Sequence, residues 1–156
     1  MRVEYINPFF LATVDVFKAM LSLEPQRGTL RAVEELVPVS EANVVIGVTG
    51  DLRGSLLYSF PKEMALEMVY IMAGMRMNEL DVFVSSALGE VANIISGNAL
   101  TYLSKNDFNC DIAPPQLIIG TSGSLSMSTE KAVVLPLHTE IGVFEISISL
   151  TTTSNS

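Results

Sequence analysis

The sequence predicts an α+β domain: a largely antiparallel sheet with long helices packed on one face. Apolar residues at helical spacing follow Asn7-Pro8 and fill the stretch Asp81 to Leu103. Short runs of β-forming residues, bounded by Gly, Pro, Asn and Asp, occupy the middle and the end of the chain. The resulting order of helix, strands, helix, helix, strands suits helices segregated to one face of an antiparallel sheet.

Asn7-Pro8 is a helix opening, a capping residue followed by proline in the first turn. Phe9, Phe10, Thr13, Val14, Phe17 and Leu21 continue at helical spacing until Pro25 and Gly28 break the pattern. LRAVEELVPV is extended, and Pro38 argues for an edge or a strand end. NVVIGVTGDLRGSLLYSF reads as a hairpin, with Val44 to Val48 outbound, Gly50 to Arg53 turning and Ser55 to Phe60 returning. Pro61 starts a second helix that Gly74 stops after Ala73. Asn78 is placed to cap a third helix, with Asp81 near the positive end of its dipole, and this helix runs to about Leu103. NDFNCDIAPPQLIIG is a turn into a strand, and AVVLPLHTEIGVFEISISL reads as two strands joined near Thr139 to Gly142. One domain over 1–150 is expected, with the tail TTTSNS frayed. The element order also repeats weakly: helix, Pro/Gly break and strands, then long helix, Pro-Pro break and strands.

The chain has 156 residues, 49% apolar and 17% charged, with a net charge of −8. That length supports a real core, and the composition disfavours disorder. The acidic balance argues against nucleic acid and against anionic membranes. It suits either plain solubility or a basic patch on another protein. Cys110 is alone, so neither a disulfide framework nor a cysteine metal site is expected. A buried thiol in a reducing compartment is the ordinary reading. The first residues do not read as a signal peptide, and no apolar run approaches the roughly 20 residues that span a bilayer. A cytoplasmic protein is expected.

The third helix carries the chemistry. At about 100° per residue, with Ser86 at zero, Glu90 falls near 40°, Asn93 near 340° and Gly97 near 20°. Val84, Leu88, Val91, Ile95 and Ala99 fall on the opposite side, between about 140° and 220°. The stripe reads either as a solvated face or as a surface that admits another backbone. Glu90 is the sole charge between Ser85 and Leu103, where a solvated face usually mixes Lys, Arg and Glu. Ser86, Gly89, Ala92, Ser96 and Gly97 are small, and Gly89 and Gly97 each cost about 1 kcal/mol of helix propensity. One carboxylate makes neither a glycosidase pair nor a metal site. Asn93 offers amide donors and an acceptor, so it can hold a water and aim it at an electrophile without taking a proton. That is the task of the water-positioning glutamine in GTPases, and it needs an electrophile and a metal supplied from elsewhere.

Ser86-x3-Glu90-x2-Asn93, followed by Pro114-Pro115, resembles the signature of the CheC/CheX/FliY phosphatases. The segments VIGVTGDLRGSLLYSF, PKEMALEMVYIMAGM and LDVFVSSALGEVANIISGNAL follow one another as in the CheX branch, so the likeness runs from about Val44 to Leu150. The resemblance implies hydrolysis of the phospho-aspartate of a CheY-type response regulator. It implies that Asn93 orients the attacking water and that Glu90 pairs with the receiver's lysine. Ser86, Gly89 and Gly97 would support binding, and the receiver would supply Mg²⁺. No cofactor is expected in this chain. The segment NPFFLATVDVFKAML carries no Glu-x-x-Asn, which implies one site per chain, and CheX-like chains form homodimers. The competing readings are a non-catalytic module that binds a receiver domain or a flagellar switch component, and a structural dimer.

Three other features read as structural. GVTGDLRGS lacks the Gly-Lys-Ser/Thr ending of a phosphate loop and precedes a strand, so it is a hairpin turn. His138 sits beside Pro136 in a strand pattern and reads as structural. Met64, Met68 and Met72 recur at helical spacing, either as core or as an adaptable partner surface.

Overall fold

The computed structural model describes residues 3–120 and 123–153. Helix α1 spans Val3–Leu21, so Pro8 lies inside it rather than at its opening. Pro8 has no N–H for the carbonyl one turn back, a loss that costs about 3 kcal/mol in a helix interior. The earlier start buries Tyr5 and Ile6, with the Tyr5 ring edge-on to Phe108 at 5.3 Å. Burying two such side chains contributes roughly 1.5–3 kcal/mol each, enough to offset the proline.

The strands are β1 (Gln26–Arg27), β2 (Arg31–Val39), β3 (Ala42–Gly50), β4 (Leu52–Phe60), β5 (Cys110–Ile112), β6 (Gln116–Ile119), β7 (Gly123–Thr139) and β8 (Gly142–Thr152). Helices α2 (Lys62–Ala73) and α3 (Val82–Ser104) separate β4 from β5. All the strand pairings are antiparallel. The order is β1-β7-β8-β4-β3-β5, with β2 also on β7 and β6 also on β3. Exchanging α1 with α3, β1/β2 with β5/β6, β3 with β7 and β4 with β8 reproduces this order in reverse. The faint repeat in element order is therefore a pseudo-twofold in the sheet. Pro38 lies one residue from the end of β2, and among the described residues β2 pairs only with β7, which agrees with an edge position.

Alternate strand residues turn one face of the sheet toward the helices: Val44, Ile46 and Val48; Leu56, Tyr58 and Phe60; Ile146, Ile148 and Leu150. Phe144 stacks with Phe17 of α1 at 5.2 Å and with Phe60 at 4.8 Å, joining helix, β8 and β4. The opposite face is not bare, because Leu57 and Ala132 are buried there against Val33, Val39 and Val45. Met64 and Met68 are buried and Met72 packs on the core, so the methionine stripe is core.

The hairpin turn is tighter than expected, with Asp51 alone between β3 and β4. Gly50 adopts φ +116°, and a Cβ there would stand 2.5 Å from the Asn109 carbonyl oxygen. The tail differs from expectation as well. Thr151 and Thr152 continue β8 opposite Arg53 and Leu52, and the Thr153 Oγ1 donates to the Gly50 carbonyl at 2.9 Å. These residues are tied down because the hairpin turn leaves carbonyls that need donors; residues 154–156 lie outside the described residues. Cys110 is partly buried in β5 rather than sealed in the core, and His138 is exposed on β7 opposite Gln26. Among the described residues no helix is long and apolar enough to cross a membrane.

Gly74 ends α2 in the left-handed conformation, its N–H bonding the Tyr70 carbonyl at 2.8 Å, as its position predicts. The cap of α3 is Asp81, not Asn78: the Asp81 carboxylate accepts from the Val84 N–H at 2.9 Å. A charged acceptor beside the free N–H groups is the stronger cap, and such caps contribute about 1 kcal/mol. Under α3, the Tyr58 hydroxyl meets the Ser96 hydroxyl at 2.7 Å, both fully buried.

Burial pushes the Tyr58 phenol well above its ordinary value of 10.0, and the Ser96 hydrogen bond only partly opposes this. The fold thus holds the phenol neutral. Above pH 10 the unfolded chain releases this proton and the folded chain keeps it, so stability falls as pH rises from there toward the folded-state value, by up to about 1.4 kcal/mol per pH unit. Tyr58→Phe should cost about 1 kcal/mol at neutral pH, from the stranded Ser96 hydroxyl. Its stability should also fall less steeply above pH 10. Urea titrations of both proteins from pH 7 to 11 check this, and parallel declines would contradict the role given to Tyr58.

Candidate functional site on the third helix

Helix α3 buries a wide arc. Val84, Leu88, Val91, Ile95 and Ala99 face the core as their spacing predicts. Ser85, Gly89, Ala92, Ser96 and Leu103 are buried as well, so the buried arc runs from about 140° to about 300° on the wheel. The rest of the wheel is exposed or half-buried. Ser86 and Glu90 are exposed, and Asn93 and Gly97 are half-buried beside them. The structure therefore brings four of the five expected residues onto one surface stripe.

Gly89 is the exception. It is buried, and a Cβ on it would stand 3.6 Å from Leu117 Cδ2 and 3.8 Å from Pro115 Cγ. It faces the link between β5 and β6 and does not open the stripe to a partner. Ala92 and Ser96 likewise face inward. Gly97 differs, since nothing lies within 4 Å of a Cβ placed there. A backbone approaching the stripe meets open space at that position.

Pro115 thus has a physical link to the stripe: it lies in the link between β5 and β6, which each pair with β3, and faces Gly89, the residue next to Glu90. Tyr102 donates to Asp15 of α1, which ties the other end of α3 to its pseudo-symmetric mate. The shared proton raises the Tyr102 phenol above its usual range, through the Asp15 hydrogen bond first and desolvation second. Among the described residues Glu90 makes no salt bridge, and no group of three or more His, Cys, Asp or Glu side chains is placed to hold a metal ion. The stripe presents one exposed carboxylate, one amide, one hydroxyl and one gap. That set can receive a cation, a water and a close backbone; by itself it contains no nucleophile–base pair.

Sequence reasoning missed several neighbours. Val82 and Phe83, at about 320° and 60° on the same wheel, belong to this face and are 82% and 44% exposed; the periodicity was sufficient to find them. Tyr58 left no local signal, because its contact with Ser96 crosses 38 residues of chain. A Glu-x-x-Asn also exists on α1, as Glu4 and Asn7, because the helix begins before Asn7. Its Asn7 amide oxygen accepts from Arg27 Nη1 at 3.1 Å, and Pro8 follows it, so its setting differs from that of Asn93.

A family model described as chemotaxis phosphatase CheX matches residues 42–138, and the chain belongs to this family. The CheY-P phosphatase CheX of Thermotoga maritima is 33% identical over 121 residues, which is 77% of this chain and 78% of that protein. A CheC-like superfamily protein from Shewanella sp. PV-4 superposes with a TM-score of 0.87 at 27% identity, covering 97% of this chain and 99% of that one. A chain of the CheX-CheY-BeF3-Mg²⁺ complex from Borrelia burgdorferi superposes with a TM-score of 0.77 at 27% identity, covering 96% and 99%.

The contacts around Gly89 are ordinary van der Waals distances, so a methyl group fits without displacement. Gly89→Ala should stabilise the protein by about 1 kcal/mol through helix propensity. Chemical denaturation checks this, and a loss of stability would show that the Pro115–Leu117 link needs the empty space.

Proposed function

We propose that this chain hydrolyses the phospho-aspartate of a CheY-type receiver, with Asn93 and Glu90 completing an active site that the receiver only half supplies. The observation that carries this reading is the stripe itself. Glu90 is the lone carboxylate of α3, and the Asn93 amide stands one turn on from it, half-buried on the same outward face, opposite the arc that packs on the core. Membership of the chemotaxis phosphatase CheX family supports it.

In this reading the Asn93 amide binds a water and holds it in line with the phosphorus. The water oxygen forms the new P–O bond, the bond from phosphorus to the aspartyl oxygen breaks with its electron pair going to the carboxylate, and the water's protons leave with the inorganic phosphate. Asn93 takes no proton, so it serves by position alone. Glu90 pairs with a cationic side chain of the receiver and sets the register of α3 in the cleft. Mg²⁺, which we assign to the receiver, would neutralise charge on the phosphoryl oxygens. Ser86 and Gly97 are contact positions, and the open space above Gly97 lets the receiver backbone approach. Residues 1–150 act as one domain, and a cytoplasmic homodimer belongs to the same proposal; sedimentation at assay concentrations checks the oligomeric state.

The experiment is loss of phosphate from a phosphorylated CheY-type receiver in the presence of Mg²⁺. Asn93→Ala should lower kcat by two orders of magnitude or more, about 3 kcal/mol, while affinity changes little. Retained turnover would sink the mechanism. Glu90→Ala should weaken association by about tenfold and activity with it. An unchanged affinity for the phosphorylated receiver would contradict the docking role. Receiver binding without hydrolysis by the wild type would point to a non-catalytic module.

A further inference from the structure

The polar stripe has an apolar border. Val82 and Phe83 stand one turn before Ser86 on the same face, 82% and 44% exposed. Leu117, 39% exposed, reaches α3 from the β5–β6 side and lies against Gly89, the residue next to Glu90. Large apolar side chains scattered singly on a surface need no explanation. Here three of them flank one short polar stretch, and two occupy the first turn of the helix that carries it. The Asp81 cap orients that turn by accepting from the Val84 N–H at 2.9 Å.

We propose that Val82, Phe83 and Leu117 form an apolar rim that anchors the phosphorylated receiver on α3 and sets the KM of the reaction. The occupant is the receiver domain, because the rim is continuous with the face on which Glu90 and Asn93 must meet it. This inference rests on the function proposed above. Two physical needs favour it. A single Glu90 ion pair at an exposed surface gives no more than about tenfold in affinity, so a second source of binding free energy is required, and burial of apolar side chains supplies one. Closing such side chains around a polar centre also excludes bulk water from it, which strengthens the Glu90 pairing and leaves the Asn93-bound water as the nucleophile.

The test is steady-state hydrolysis with the concentration of phosphorylated receiver varied, comparing wild type, the double variant Val82→Ser/Phe83→Ser, the conservative double variant Val82→Ile/Phe83→Leu, and Leu117→Ser. All the altered side chains are exposed, and thermal melts confirm that each variant folds. The serine variants should raise KM tenfold or more with kcat within twofold, and the conservative pair should restore KM. A serine double variant with unchanged kcat/KM, or one that loses kcat at constant KM, overturns the rim. If the wild type hydrolyses nothing, the phosphatase reading fails by itself. Titration with the beryllofluoride-activated receiver and Mg²⁺ then decides the rim separately. A tenfold loss of affinity in the serine variants upholds it; equal affinities, or no binding by the wild type, overturn it.

Discussion

The buried hydrogen bond between Tyr58 and Ser96 fixes how α3 is rotated on the sheet, and the site depends on that rotation. Consecutive helix residues are about 100° apart, so a slip of one residue would carry Glu90 into the core or turn Leu88 outward. Apolar packing alone is tolerant of small rotations, because Val84, Leu88, Val91 and Ile95 would find other hydrocarbon to touch. A pair of hydroxyls sealed from water is not tolerant, since each would lose its partner at a cost of about 1–3 kcal/mol. Gly89 adds a second constraint, because Pro115 and Leu117 sit where a larger side chain would project. Between them, a hydrogen bond on one side and a close approach on the other leave a single arc of α3 facing outward.

The pseudo-twofold of the sheet explains why that arc occurs on α3 in its present form. Both α1 and α3 lie on the same face and precede equivalent strand groups. The two helices then diverge. Helix α1 carries Pro8 within it and uses Asn7 to receive Arg27. Helix α3 is continuous from Val82 to Ser104 and keeps Glu90 and Asn93 away from intramolecular partners among the described residues. A group that must complete another protein's active site has to stay unsatisfied in its own fold, and an exposed position makes that inexpensive because water fills in.

On the function proposed above, the work is done at an interface rather than in a cavity. In that proposal the stripe offers a carboxylate for charge, an amide for position and a gap for close approach, and a second molecule brings the phosphoryl group and the metal. Net charge of −8 and the exposed Glu90 suit a basic patch on that partner. The apolar residues at the border of the stripe would give such an encounter affinity that charge alone does not provide.

Local pattern determined much of this protein by itself. Helical periodicity placed Glu90, Asn93, Ser86 and Gly97 on one face of α3 and Leu88 and Val91 on the other. Turn residues located the β3–β4 hairpin, and Gly74 marked the end of α2, because these features depend on neighbours within a few residues. The start of α1, the strand character of Thr151 and Thr152 and the burial of Gly89 were decided only in three dimensions. Each depends on a distant partner: Phe108 against Tyr5, the Gly50 carbonyl for Thr153, Pro115 and Leu117 against Gly89. A sequence records which side chains can share a face, since backbone geometry sets that period. Which of those faces is covered depends on contacts between residues far apart in the chain, and only the assembled sheet and helices bring those contacts about.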